Sequence, residues 1–391
     1  MFPSYPPSTP TTSSSPPQVP AGSQHRRGFK PQLEGLRGVS AVAIMTTHVA
    51  FQTGIDPHGN IGAILGRFDY FLAVFFAFSA YLLWRGMDFH RGMLVTYFHR
   101  RFWRVVPGYW VYVVVVLALV PEAFGASWVS VLSTLSFTQI YLPEGFLGGM
   151  THLWSLCVEV VFYLVMPLLG WALRNVGPAK RIMVFCGLAL LSLGWAFLPV
   201  VADSPREHVP NMQIFFPGFF CWYAVGLIAA EVEELRRRRG VMDKPVKVFQ
   251  YRWAWWLVAF FAMWLAGQEF FGPVGLEHPS AGEFALRVIA GTVMCACVFL
   301  PYAFHSAPSF LDWQIISYLG RISYSFFLWH LAVLGAVLPL LGIRPFTGGF
   351  LIALPLTFIG SFIVGSCGYV LVEWPFRSAR AAKLTLLRIF R

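Results

Sequence analysis

The stretch WVSVLSTLSFTQIYLPEGFL, residues 128–147, is the most polar of eleven apolar runs in a 391-residue chain, and whether it crosses a membrane decides the fold. The runs fall at about 36–52, 64–84, 103–120, 128–147, 152–173, 182–201, 213–231, 253–270, 284–304, 314–341 and 348–372, each near the ~20 residues that a bilayer requires. If all eleven crossed, the basic turn RNVGPAKR (174–181) and the run EELRRRRG (233–240) would lie opposite the basic N-terminal segment and the basic stretch around Arg100. That arrangement violates the preference of Lys and Arg for the cytoplasmic side. Residues 128–147 carry Ser, Thr and Gln and then Pro-Glu-Gly, so they are expected to be re-entrant or to lie along the outer face. Ten transmembrane helices then remain, both termini are cytoplasmic, and only Arg67, Arg206, Arg287 and Arg344 of the 29 Lys and Arg residues fall toward the outside.

Composition agrees with an all-α, polytopic membrane protein. The chain is 57% hydrophobic, 17% aromatic and 12% charged, which is more apolar surface than a soluble core can hide. A net charge of +11 would suit nucleic acid, but the basic residues stand at helix ends, where they set topology. The tetrad from Arg236 to Arg239 is accordingly an anchor at a solvated helix end, and no nucleic-acid partner is expected. The six cysteines all fall in apolar runs without CxxC pairing, so neither a disulfide nor a metal site is expected. Residues 1–30, rich in Pro, Ser and Thr and lacking an apolar stretch, read as a disordered cytoplasmic tail. The membrane domain is expected over 31–377, with a short basic tail at 378–391. Arginine outnumbers lysine 24 to 5, a bias associated with GC-rich bacterial coding, which suggests the inner (plasma) membrane of a bacterium.

An ionisable residue within a span is costly unless paired or wetted, so each one is a candidate for function. Arg37 and His48 lie eleven residues apart, which places both on one helix face about 16.5 Å apart along the axis. With Arg37 at the inner edge, His48 sits roughly 13 Å below the outer boundary of a core about 30 Å thick. Glu159, seven residues after His152 on a helix running inward, lies about 10 Å below the same boundary. A carboxylate and an imidazole at matching depth can be a base with its orienting partner, or an acid and base flanking a hydroxyl. They can also simply lock two helices together. In YFHRRFWRVVP (97–107), Arg101 and Arg104 share a face beside Arg100; guanidinium groups suit phosphate oxygens, and equally serve as inner-side anchors.

Six motifs in order resemble the acyltransferase 3 family of integral membrane O-acyltransferases, over nearly all of Leu33 to Arg377. They are EGLRGVSAVAIMTTHV, FFAFSAYLLW, RRFWRVVP, HLWSLCVEVVFYLVMP, LGRISYSFFLWH and EWPFR. The resemblance implies transfer of an acyl group from cytosolic acyl-CoA, a co-substrate with no further cofactor, to a hydroxyl of a sugar exposed across the membrane. It makes His48 the catalytic histidine, Glu159 the membrane-embedded acid, Arg37 the arginine of the histidine's motif, and Arg101 and Arg104 the pair that holds acyl-CoA. His152 and Ser155, at the outer mouth, and Arg321, Tyr324 and His330 are candidates for lining or acceptor contact, with helix packing as the plainer role. Glu373 and Arg377 are expected to form an interfacial i, i+4 pair.

Two departures stand out. Ala73 and Ala80 occupy positions where many members carry an acid and a glycine, so no role is carried over to them. Many relatives also end in a soluble SGNH-type esterase domain, whereas RSARAAKLTLLRIFR follows the last span here. The envelope acceptor could be a polysaccharide, a glycolipid or a secreted metabolite. The rival class is a proton-coupled transporter or flippase, since buried His, Glu and Arg would serve it too.

Overall fold

The computed structural model describes residues 30–87, 93–242, 244–273 and 277–376. The tails expected at 1–30 and 378–391 lie outside these residues except for Lys30, as does Arg377 of the expected pair with Glu373. Helices follow one another as α1 (Pro31–Gln52), α2 (Asn60–Gly66), α3 (Phe71–Arg85), α4 (Met93–Leu119), α5 (Trp128–Leu135), α6 (Trp154–Leu173) and α7 (Pro178–Leu193). A single turn α8 (Pro199–Ala202) precedes α9 (Phe220–Arg238), α10 (Arg252–Ala266), α11 (Ala281–Phe304), α12 (Gln314–Leu340) and α13 (Phe350–Gly368). No strand occurs among the described residues.

Seven helical stretches among those residues are long and apolar enough to cross a membrane: Asn60–Arg85, Met93–Leu119, Thr151–Leu173, Pro178–Phe197, Ala281–Phe304, Gln314–Leu340 and Phe350–Phe376. The runs expected at 36–52, 213–231 and 253–270 are helical as α1, α9 and α10. The first two carry more polar side chains, and α10 has 15 residues. The opening stretch does not form a span. Its helix α5 has eight residues, about 12 Å, too short for a hydrocarbon core. Tyr109, well inside α4, donates to Thr134 O at 2.8 Å and stacks on Phe137 at 4.0 Å, so the segment dips alongside α4 and turns back.

Backbones approach closely where glycine allows it. A Cβ on Gly320 of α12 would lie 2.0 Å from Glu34 O of α1, and one on Gly226 of α9 would lie 1.9 Å from Ala77 O of α3. Small residues at crossings are how helices pack without a hydrophobic drive between them. These contacts seat α1 between α12 and α3.

At the α3–α9 crossing, Glu233 pairs with Arg85 at 2.7 Å and Lys30 at 3.4 Å and accepts from Tyr81, while Glu231 pairs with Arg181 at 3.1 Å. Both carboxylates are buried, which the charge run alone did not suggest. The arginine tetrad begins on the half-buried Arg236 and ends exposed. There Arg237 and Arg238 bind Glu234, and the hydrogen bond from Arg237 holds its carboxyl down to about 2.

Candidate functional site

Two cavities lie along the bundle, at opposite ends of α1. The first, about 160 Å³, is lined by Arg37 of α1, Arg101 and Arg104 of α4, Ser79 of α3, Ser155, Glu159 and Tyr163 of α6, and Tyr324 and Phe327 of α12. Glu159 Oε1 accepts from Ser79 Oγ at 2.7 Å and from Tyr163 OH at 2.5 Å. The Arg37 guanidinium lies 5.0 Å from the Phe78 ring, and that of Arg101 lies 5.9 Å from Tyr163. Neither they nor Arg104 form an ion pair among the described residues. Three guanidinium groups therefore face one carboxylate, whose oxygen already accepts two hydroxyl donors. Such an excess of fixed donors is chemically suited to an anion with several oxygens.

The second cavity, about 690 Å³, is lined by Thr47, His48 and Phe51 of α1, Arg67 and Asp69 ahead of α3, and His152 and Trp154 at the start of α6. Its size falls within the range of small-molecule sites. Here the histidines form a chain. His330 Nδ1 lies 2.6 Å from Phe327 O, an acceptor only, so that nitrogen carries the proton. A neutral His330 then accepts at Nε2, and His48 Nδ1, at 2.8 Å, is the donor. The two rings stack with centroids 5.0 Å apart. His48 Nε2 is left with a free lone pair, on a residue that is only half-buried and opens on the cavity. His152 donates from Nε2 to Leu328 O at 3.1 Å, and its buried Nδ1 has no partner among the described residues. No group of three His, Cys, Asp or Glu side chains among the described residues is arranged to hold a metal.

A thin partition separates the cavities. Ser155 lines the first and His152 the second; the same holds for Leu72 and Asp69, and for Phe327 and Leu331. Three or four residues on a helix is about 4.5–6 Å, one layer of side chains. The His152 ring meets Phe327 edge-on at 5.2 Å within it.

Arg37, Arg101, Arg104, Glu159, Ser155 and Tyr324 are thus brought together, and so are His48, His152 and His330. Two expectations need correction. His48 and Glu159 share neither a hydrogen bond nor a cavity; equal depth fixes position along the axis but not direction around it, and Glu159 turns toward Ser79 and Tyr163 while His48 turns toward α12. Arg321 lines neither cavity: it is exposed, with its guanidinium 5.4 Å from the Tyr318 ring, because Ile322 and Ser323 take the inward face. Glu373, whose expected partner Arg377 lies outside the described residues, is buried and accepts from Ser325 Oγ. Sequence reasoning missed Ser79, Tyr163, Arg67 and Asp69. Tyr163 could have been found, four residues beyond Glu159 and so on its face.

A family model described as an acyltransferase domain matches residues 30–366. The chain is 28% identical to the acyltransferase MdmB of Streptomyces mycarofaciens, over 55% of this chain and 59% of that protein. It is 22% identical to the peptidoglycan O-acetyltransferase OatA of Listeria monocytogenes, over 90% of this chain and 57% of that protein. Nodulation protein 10 of Rhizobium leguminosarum is 23% identical over 67% of this chain and 71% of its own length. The chain spans less than two thirds of the length of the first two. No solved structure matches it.

Proposed function

The chain belongs to the acyltransferase 3 family, and on that premise we propose that it moves an acyl group from cytosolic acyl-CoA to a hydroxyl of a sugar-containing envelope glycan, glycolipid or secreted metabolite. In this reading α1, α9 and α10 complete ten spans, both ends of the chain are cytoplasmic, and the arginine-lined cavity opens toward the cytosol of a bacterium. Arg37, Arg101 and Arg104 hold the donor's phosphates, and the cavity beside them receives the thioester end. Its modest volume admits the acyl end of the donor and leaves the nucleotide at the mouth.

The observation that carries the reading is the 2.8 Å bond between His48 Nδ1 and His330 Nε2, which directs the free lone pair of His48 into the larger cavity. An acceptor hydroxyl there gives its proton to His48 Nε2 while its oxygen attacks the thioester carbonyl carbon presented through the partition. Collapse of the tetrahedral intermediate breaks the carbon–sulfur bond, and the imidazolium returns the proton to sulfur, giving an ester and free CoA thiol. His330 orients the base, the part that a buried carboxylate plays in other base pairs. Glu159 offsets part of the arginine charge rather than touching the reacting atoms.

The test uses purified protein in nanodiscs with labelled acyl-CoA. His48→Ala should bind the donor as the unmodified protein does and lose both transfer and slow hydrolysis. A fully active His48→Ala enzyme, or an unmodified protein that binds no acyl-CoA, sinks the proposal.

A further inference from the structure

The larger cavity holds a second polar group that the transfer step does not use. Asp69 is the one carboxylate and Arg67 the one Lys or Arg among its described lining residues. Thr47 Oγ1 donates to Gly66 O at 3.3 Å, which brings the turn bearing Arg67 and Asp69 to the level of His48. Asp69 is open to the cavity, and no side-chain donor among the described residues reaches its carboxylate. Arg67 and Arg287 act on it electrostatically but spend donors elsewhere. Arg67 Nε donates to Ala266 O at 2.9 Å, and Arg287 donates to Phe271 O at 2.7 Å and to Pro273 O. Arg67 is 9% exposed, and its Nη2 has no partner among the described residues.

A carboxylate without side-chain donors seeks O–H or N–H groups. Two guanidinium groups already set a positive field around Asp69, so a cationic ligand gains little there and a neutral hydroxylated one is favoured. Phe51, Trp154 and Phe346 line the same cavity and offer flat apolar surface. We propose that Asp69 and Arg67 form an acceptor subsite for a neutral sugar ring, Asp69 accepting from neighbouring hydroxyls and Arg67 holding the positive field beside it. The further statement that another hydroxyl then faces His48 Nε2 rests on the transferase reading above.

Binding of trehalose, methyl glucoside and N-acetylglucosamine to the purified protein in nanodiscs tests the subsite without any transfer. Protonated glucosamine and cyclohexanol serve as the cationic and apolar comparisons. The expected result is saturable binding of at least one neutral sugar, at least tenfold tighter than either comparison and weakened about tenfold by the isosteric Asp69→Asn. Failure of all three sugars to bind the unmodified protein overturns the proposal, as does equal binding by glucosamine or by a folded Asp69→Asn. Should Asp69→Asn not fold, the comparison between neutral and protonated sugars in the unmodified protein decides. Hydrolysis of labelled acetyl-CoA by the unmodified protein, which needs His48 but no sugar, reports on the transferase reading separately.

Discussion

The two cavities differ in what they leave unsatisfied. In the arginine-lined one the imbalance is charge: Arg37, Arg101 and Arg104 surround a lone carboxylate, Glu159, that is already hydrogen-bonded to Ser79 and Tyr163. In the histidine-lined one the imbalance is a single lone pair, because Phe327 O, His330 and His48 form a chain that fixes every proton except at His48 Nε2. Surplus positive charge recognises a polyanion without acting on it, whereas a directed lone pair can take a proton from a hydroxyl. On the proposed reading, binding and chemistry are separated by one layer of side chains.

The largest effect should come from His48→Ala. Loss of a general base lowers kcat by about 10³-fold with the KM for acyl-CoA unchanged. Single-turnover transfer from labelled acyl-CoA measures it, and a shift in KM instead would merge the two cavities' roles. His330→Ala should follow, with kcat down about 10²-fold, because the ring of His48 loses the contact that sets its direction and proton. His330→Gln, whose carbonyl oxygen can still accept from His48 Nδ1, should recover part of that loss. A purely structural His330 would show no such recovery.

Arg101→Ala acts in the other coordinate. Removing one charge-assisted contact of about 1.5–2 kcal/mol should raise the KM for acyl-CoA about tenfold and leave kcat nearly unaltered. Arg101→Lys should recover only a fraction, since an ammonium group cannot reproduce the fork of a guanidinium. Kinetics against acyl-CoA concentration separate this outcome from a loss of kcat, which would place Arg101 in the chemistry.

Much of this layout was legible in the chain. The apolar runs located the long helices, and polarity with Pro143 and Gly145 marked 128–147 as unable to cross. The placement of Arg37 and His48 eleven residues apart on one helix made α1 the element that joins the two ends. Partners across helices were not legible. His330 lies 282 positions from His48, and no local period encodes which face of α12 meets which face of α1. Gly38 and Gly320, whose lack of side chains sets that crossing, read in sequence as two more small residues in apolar helices. Depth arguments supply one coordinate of three, so matching depth suggests a meeting of Glu159 with His48, whereas the partners of Glu159 lie four residues along its own helix and on α3.

Glu159→Gln carries the smallest predicted effect and the most discriminating sign. Glutamine keeps an oxygen for Ser79 and Tyr163 but removes the only carboxylate among the described residues lining the arginine cavity. Hydrogen bonds to a neutral acceptor are weaker than to a charged one by about 1 kcal/mol, so kcat should fall about fivefold as those side chains loosen. The field of the three guanidinium groups is then less opposed, so the KM for acyl-CoA should stay level or fall, opposite to the change expected for Arg101→Ala. The uncompensated arginines should also lower the Tm of the free protein, and anionic acyl-CoA should restore it by binding the folded state. Kinetics and thermal unfolding with and without the donor read all three quantities. Should Glu159→Gln instead lose about as much kcat as His48→Ala while keeping its Tm, the carboxylate belongs to the reacting centre, and recognition and chemistry are not divided between the cavities.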